Sequence, residues 1–407
     1  MSADLGPVRT AGDTEPTSRA RYGAAMTITL ERNLLAAPQE AHAKVEIYSG
    51  VARLARTVWG SEVRVAGRNP TTAVVWCHPT ANFLGHYSLA PLAERGVGAI
   101  GLTTRYVGND TALILENCLL DLGAMVAHLR DRGYEKIVLV GNSGGASIVP
   151  YYQAQALAPT VTVPPGGGPD LTHAALPPVE AIVMFNAHPA RARLCTEWLD
   201  PAIVDEHQPF ERDAGLDMYN PEHGPPFSPE FIARYRDAQR ARNRRISAWA
   251  ESQLRALGAP GHEPAGLDDL AFVVQGTTAD LRFLDGAIDP SDRVVGTSLW
   301  GPPAIANYLP AGIGRCTTLR SWLNQWSLDH TLGDSLRWLP ELTTPVMVIT
   351  GSADPVVTPS MARQMFDAAE RAPRELLMVS GATHYFEGQP ELLADALDAM
   401  VAWIAST

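Results

Sequence analysis

Buried-strand segments that alternate with helical segments constrain this chain more than any other feature of its sequence. Four short apolar runs are typical of strands buried on both faces, and they lie at residues 72–77, 98–102, 136–141 and 181–187. A helical period covers residues 112–132, where Asp110 and Thr111 offer an N-cap and Gly133 a C-terminal stop. Strands that alternate with helices predict a parallel sheet with right-handed crossovers.

The alternation of strand and helix segments stops near residue 188 and resumes with an apolar strand at residues 345–350. A strand at 375–379 and a helix at 390–404 follow. The sequence therefore predicts an α/β fold with a mostly parallel central sheet, helices on both faces and a mainly helical cap. We predict a flexible leader at 1–42, a first core segment at 43–189, a cap insertion at 190–340 and a second core segment at 341–407.

The segment Gly141-Asn-Ser-Gly-Gly fits the pattern G-x-S-x-G between an apolar strand and a helix. A strand-to-helix turn of this kind is too tight for side chains at its flanking positions, which explains Gly141 and Gly145. The turn lifts a serine hydroxyl to the carboxyl edge of the sheet. Ser143 is therefore the candidate nucleophile.

A serine hydroxyl needs a base, and the base needs an acid that orients it. Asp354 follows the strand at 345–350, and His384 follows the strand at 375–379. Both would lie at the same sheet edge as Ser143, so we predict a Ser143–His384–Asp354 triad. Alternatively, Asp354 could be a turn residue before Pro355, and His384 could be a surface residue.

The order of these elements, the turn at Ser143 and the loops of Asp354 and His384 resemble the α/β-hydrolase superfamily from about residue 62 to the C-terminus. The resemblance implies an oxyanion hole that uses the backbone N–H of Gly144. It also implies a second N–H from the loop after residues 72–77, where Pro79 stands in place of the usual glycine. We assign this second donor to Thr80, with Ala81 as the alternative.

The resemblance implies a serine hydrolase that cleaves a carboxylic ester without a metal or other cofactor. The length and the tryptophans of the insertion at 190–340 favour a small, partly apolar substrate. An amidase, a lactonase, a C–C bond hydrolase or an acyltransferase would use the same residues. A non-catalytic binding protein is the alternative from another class. Candidate substrate-binding residues lie in the oxyanion loop, after the fourth strand and in the cap, namely Ala81, His188, Trp198, Trp322 and Trp326.

The composition restricts the partners of the chain. The 407 residues are 46% hydrophobic and 19% charged, and the net charge of −12 opposes binding to nucleic acid. The scattered cysteines, the apolar runs too short for a membrane span and the polar N-terminus predict a cytoplasmic protein, either monomeric or homodimeric. An arginine-rich stretch at 234–245 could bind an anion, but a solvated helix face is the favoured interpretation.

Overall fold

The computed structural model describes residues 8–10, 28–39, 57–260 and 266–407. The rest of the predicted leader, the predicted start of the core at 43–56 and residues 261–265 of the predicted cap lie outside the described residues. Within the described ranges, no helix has the length and the apolar character needed to cross a membrane.

Nine strands of the described residues form one sheet, in the order β1-β11-β10-β7-β6-β4-β5-β3-β2. Neighbouring strands are parallel from β1 to β5 in this order, and β3 and β2 continue the sheet antiparallel. The strands are β1 (Val8–Thr10), β2 (Leu30–Pro38), β3 (Thr57–Val65), β4 (Thr72–Cys77), β5 (Gly98–Leu102), β6 (Lys136–Asn142), β7 (Ala181–Phe185), β10 (Val346–Gly351) and β11 (Arg374–Val379). A separate antiparallel pair consists of β8 (Ala271–Val273) and β9 (Cys316–Thr318).

Helices cover both faces of the sheet. They are α1 (Leu89–Glu94), α2 (Leu115–Asp131), α3 (Val149–Leu157), α4 (Arg191–Trp198), α5 (Pro229–Leu257), α6 (Pro303–Ala306), α7 (Leu319–Ser321), α8 (Ser335–Trp338), α9 (Pro359–Ala368) and α10 (Pro390–Ser406). Alternate side chains of β4 enter different cores, because successive residues of a strand point to opposite faces. Ala73 and Val75 join residues of α2, α3 and α9, whereas Val74 and Trp76 join residues of α1 and α10. The predicted mostly parallel sheet with helices on both faces is confirmed.

The predicted flexible leader at 1–42 is wrong for residues 8–10 and 30–38. Residues 8–10 form β1, which pairs parallel with β11. Residues 30–38 form β2, which pairs antiparallel with β3 along its whole length. Leu35 and Ala37 are buried in the core, whereas Leu34 on the other face is 65% exposed. Because the exposed Leu34 directly precedes the buried Leu35, the sequence of β2 lacks the regular alternation that indicates a half-buried strand.

Helix α2 begins at Leu115 and not at the predicted N-cap, Asp110-Thr111. The backbone N–H of Leu115 donates to Oδ1 of Asn324, which is more than 200 residues away in the chain. Free N–H groups at a helix start need an acceptor, and here a distant side chain supplies it. Asp110 instead forms an ion pair with Arg191.

The chain between β7 and β10 adds no strand to the sheet in its described part and contains helices α4 to α8. It has apolar clusters of its own around Trp322 and Phe231. A third cluster, around Trp198, also includes Val356, Val357 and Met361 from the chain after β10. It contacts the first part of the chain near the N-terminal end of α2, where Asn324 Nδ2 donates to Glu116 at 2.7 Å.

The arginines of α5 between residues 234 and 245 are bound to nearby acceptors. Arg234 donates to the carbonyl of Gly215, and the other five of this stretch form ion pairs, namely Arg236 with Asp280, Arg240 with Asp237, Arg242 and Arg245 with Glu206, and Arg244 with Asp329. The arrangement agrees with the interpretation of a charge-balanced helix face, except that Arg242 is buried.

Candidate active site

Ser143 lies at the turn between β6 and α3, at the start of a short 3₁₀ segment, Ser143–Ser147. Its φ of +53° is in the left-handed region, which is uncommon for a residue other than glycine. A Cβ on Gly141 would lie 2.8 Å from the carbonyl carbon of Gly145, and a Cβ on Gly145 would collide with the carbonyl oxygen of Cys77. Both glycines are therefore needed, as the sequence predicts for such a turn.

His384 and Asp354 form a buried hydrogen bond. His384 Nδ1 lies 2.6 Å from Asp354 Oδ2, and both side chains are almost completely buried. Asp354 Oδ1 accepts the backbone N–H groups of Val356 at 2.8 Å and Val357 at 2.9 Å. The carboxylate is thereby fixed, and its bond to Nδ1 leaves the lone pair of a neutral imidazole on Nε2.

Asn186, which the sequence analysis missed, connects the turn of Ser143 with the loop of His384. Its carbonyl oxygen accepts the backbone N–H of Ser143 at 3.1 Å, and its Nδ2 donates to the carbonyl oxygen of His384 at 2.9 Å. Its Oδ1 accepts the N–H of Gly351, the last residue of β10, at 2.8 Å. Asn186 is fully buried and has a φ of +42°. A polar residue directly after the apolar strand β7 was the signal that could have identified it.

No hydrogen bond joins Ser143 Oγ to His384 in the described part of the chain. Hydrogen bonds of this kind are often long until a substrate is bound. The bonds of Asn186 hold both residues at one end of β7, which is the sheet edge predicted for the triad.

The predicted role of Thr80 as an oxyanion donor conflicts with the hydrogen bonds of its loop. The backbone N–H groups of Thr80 and of the alternative, Ala81, both donate to His78 Nδ1 at 3.0 Å. They are therefore committed to the imidazole and do not point to an acyl oxygen. The sequence could not predict this, because it depends on the rotamer of His78, which turns Nδ1 toward the backbone of its own loop.

His78 is neutral and carries its proton on Nε2. Nδ1 accepts two N–H groups, so it has no proton of its own. Burial and the positive charge of Arg191 hold the pKa of His78 well below its ordinary value. A Cβ on Gly144 would lie 2.8 Å from His78 Nε2. The Nε2–H group therefore lies beside the residue that follows Ser143.

His188, predicted to bind substrate, lies three residues after β7 and is 4% exposed. Burial, with the charge of Arg191, lowers its pKa to about 3, so it is neutral at physiological pH. Its Nδ1 has no hydrogen-bond partner among the described residues.

The three tryptophans predicted to bind substrate are buried in the insertion. Trp322 packs in an apolar cluster with Ile246, and its Nε1 donates to Ser247 Oγ at 3.0 Å. Trp198 packs edge-on against Phe283. Trp326 lies under the guanidinium of Arg191, whose central carbon is 4.4 Å from the ring centroid. Because Arg191 also borders Gly144, Trp326 is connected through this arginine to the turn of Ser143.

A cavity of about 390 Å³ has His188 in its wall and extends between α4, α5 and the start of α9. A larger cavity of about 660 Å³ lies along α2. Neither cavity has Ser143, Asp354 or His384 in its wall, and His188 is the one predicted site residue that lines the smaller of the two.

The described residues contain no group of three or more histidine, cysteine or carboxylate side chains that could hold a metal ion. The candidate site itself contains a serine, a hydrogen-bonded histidine–carboxylate pair and N–H groups, which suits attack of an oxygen nucleophile on a carbonyl group.

No model of a known protein family matches the sequence, and a search of curated proteins finds no match. Among solved structures, the complex of DcsB with its substrate analogue is similar, with a TM-score of 0.47 and 15% identity over 92% of this chain and 99% of that chain. The Paleococcus ferrophilus monoacylglycerol lipase has a TM-score of 0.43 and 14% identity over 86% of this chain and 98% of that chain. The esterase domain of a Rhodothermus marinus protein has a TM-score of 0.44 and 12% identity over 92% and 97%.

At 12–15% identity and TM-scores of 0.43–0.47, these likenesses carry no argument about this chain. The chain's own structure has a mostly parallel sheet with helices on both faces, a glycine-flanked turn after β6 and long loops after β10 and β11.

Proposed function

We propose that the protein is a serine hydrolase that cleaves a carboxylic ester of a small, partly apolar molecule. The observation that carries the proposal is the 2.6 Å bond between His384 Nδ1 and Asp354 Oδ2 at the sheet edge where Ser143 has its left-handed backbone. A buried carboxylate that fixes an imidazole in this tautomer is the arrangement that activates a serine hydroxyl.

In the proposed reaction, His384 Nε2 removes the proton of Ser143 as Oγ attacks the acyl carbon. Asp354 holds the imidazole and stabilises the positive charge that develops on it. The protonated His384 then gives its proton to the leaving alcohol. Water, activated by the neutral imidazole, cleaves the acyl-enzyme and releases the acid.

The oxyanion would receive hydrogen bonds from the backbone N–H of Gly144 and from His78 Nε2–H. The second donor replaces the predicted Thr80, whose N–H is bound to His78 Nδ1. Because burial lowers the pKa of His78, the ring keeps one proton, on Nε2, at neutral pH. A fixed neutral donor can stabilise the developing negative charge without reorganisation.

The direct test is labelling with a fluorophosphonate probe, followed by mass spectrometry of the intact protein and its peptides. We expect one adduct on Ser143 and none in Ser143→Ala. Ser252→Ala in α5 is the matched control, because it removes a serine hydroxyl from the insertion and should label like the parent. A parent protein without an adduct would refute the nucleophile and support a non-catalytic binding protein.

Ester cleavage is distinguished from the alternatives by a panel that keeps the acyl group constant and changes the leaving group. We propose that esters react faster than the corresponding amides, and that lactones, C–C substrates and acyl transfer to alcohols are slower. If any of these substrates reacted faster than the ester, the proposed ester bond would be the wrong one, but the proposed triad would stand. We further propose a cytoplasmic enzyme that needs no cofactor.

A further inference from the structure

Arg191 places a buried positive charge beside the candidate nucleophile. It is the first residue of α4 and is 6% exposed. A Cβ on Gly144 would lie 3.3 Å from Arg191 Nη1, so the guanidinium borders the residue that follows Ser143. The guanidinium therefore lies close to the position that the acyl group of a bound ester would occupy.

The described residues satisfy only part of this guanidinium. Nη2 donates to Asp110 Oδ2 at 2.6 Å, and one face of the group lies over Trp326. Nε is buried and has no hydrogen-bond partner among the described residues. Asp110 is itself one third exposed, so solvent screens its charge, whereas the guanidinium lies in the interior.

Arg242 shows how a buried structural arginine is satisfied elsewhere in the insertion. Its Nε and Nη2 donate to both carboxylate oxygens of Glu206 at 2.9 and 2.6 Å. Its Nη1 donates to the carbonyl oxygens of Asp200 and Gly276, and its Nη2 also donates to that of Gln275. Arg191 lacks a set of acceptors of this kind, which argues against a purely structural role.

Other polar atoms near Arg191 are also buried without a partner. Trp326 Nε1, on the ring under the guanidinium, is a donor, and His188 Nδ1 lies on the loop just before α4. Gln325 Oε1, on the residue before Trp326, is an acceptor and adds nothing to an anion site. A buried donor without a partner is unfavourable, so a ligand that accepts several such bonds gains affinity.

We infer that Arg191 binds a carboxylate of the substrate and that the substrates are monoesters of short dicarboxylic acids. The planar guanidinium can bind a carboxylate through two parallel hydrogen bonds. Because Arg191 borders Gly144, the carboxylate would lie only a few carbon atoms from the acyl carbon. The inference rests on the proposed ester hydrolysis, in which water converts the monoester into the dicarboxylic acid and an alcohol.

The test compares two esters of the same shape. Monoethyl succinate carries the carboxylate, and ethyl 4-methylpentanoate carries an uncharged isopropyl group in its place. We expect the parent to prefer the succinate ester by at least about tenfold in kcat/KM. Arg191→Met should lower that preference by about 10- to 150-fold, the range for hydrogen bonds to a charged group. Arg191→Lys should retain part of it, because lysine keeps the charge but not the planar fork.

Arg337→Met is the matched control, because this guanidinium also lies over a tryptophan ring, at 5.1 Å from Trp338, but is exposed. It should keep the parent's preference. Labelling of Ser143 by the fluorophosphonate probe reports whether Arg191→Met is correctly folded. Equal losses with both esters in a labelled Arg191→Met protein would mean that Arg191 only holds the loop, and would overturn the inference.

Binding separates this inference from the proposed function. Calorimetry with Ser143→Ala should show binding of monoethyl succinate that is lost when Arg191→Met is added. Such binding in a protein that the probe does not label would support the anion site at Arg191 and refute the proposed hydrolase activity. Turnover of both esters at the same rate would support the hydrolase activity and refute the anion site. Failure of monoethyl succinate to bind or react would refute the proposed substrate class.

Discussion

Replacing Asn186 by alanine should separate the support of the active site from its chemistry. Asn186 touches none of the proposed reacting atoms, but its side chain holds the carbonyl oxygens of Thr383 and His384 and the N–H of Gly351. Alanine removes all three bonds. The loop of His384 would then lose its connection to the end of β7, and His384 would be less well positioned for Ser143.

The expected loss of stability follows from these contacts. Three hydrogen bonds, two of them buried and one partly buried, contribute about 3 kcal/mol at about 1 kcal/mol each. The φ of +42° adds a further penalty, because asparagine tolerates the left-handed region better than alanine does. We therefore expect the free energy of unfolding to fall by about 3–4 kcal/mol.

Two assays test this expectation. Urea unfolding, followed by tryptophan fluorescence, measures the stability, and the rate of fluorophosphonate labelling under native conditions measures the reactivity of Ser143. We expect Asn186→Ala to label at least about tenfold more slowly, as expected when a catalytic group is misplaced by a fraction of an ångström.

Asn243→Ala is the matched control. Asn243 is also fully buried, and its side chain makes a similar set of bonds. It donates to Thr196 Oγ1 and the carbonyl of Trp326, and it accepts the N–H of Leu328 and, at 3.5 Å, the hydroxyl of Ser247. It should lose similar stability but label at the rate of the parent. If Asn186→Ala also labelled at the parental rate, the argument that Asn186 positions His384 would be refuted.

Two further predictions concern carboxylates. Asp354→Asn should keep the fold and lower turnover by about 10⁴-fold. The control Asp200→Asn, which breaks the ion pair with Arg212 in the insertion, should lower stability but leave turnover unchanged. Near-normal turnover of Asp354→Asn would show that another residue orients His384. Burial alone would raise the pKa of Glu62, but hydrogen bonds from Asn33 and Tyr134 and nearby arginines lower it below its ordinary value of 4.5. The ionised Glu62 therefore stabilises the folded protein fully above about pH 4.5, and this stabilisation is lost as the pH falls through the lowered pKa. Glu62→Gln should flatten the acid side of a plot of melting temperature against pH. An unchanged slope would contradict this expectation.

The sequence by itself determined the parts of the fold whose signal is local. Strands β4, β6 and β10 are continuous apolar runs, because both of their faces are covered, and each was found where the sequence predicts it. The turn at Ser143 was predictable for the same reason, since its glycines relieve contacts within a few residues of each other and with the neighbouring strand.

The predicted site depended on the sheet. Because parallel strands end at one edge, the loops after β10 and β11 were expected to bring Asp354 and His384 together, and the two side chains are hydrogen-bonded. Their catalytic role, and that of Ser143, stays a prediction. Asn186 was missed because its contacts reach residues from 43 to 198 positions away.

Only the tertiary structure decided the features that depend on a partner distant in the chain or on the rotamer of one side chain. Strand β2 exists because β3 pairs with it, and α2 begins at Leu115 because Asn324 accepts its first N–H. The ring of His78 accepts the backbone N–H of Thr80, which conflicts with the predicted role of that N–H as an oxyanion donor. Arg191 had no distinguishing pattern in the sequence, because the signal is its unsatisfied burial beside Gly144. Burial and hydrogen-bond satisfaction are sums over contacts between distant segments, so they are fixed only when the chain is folded.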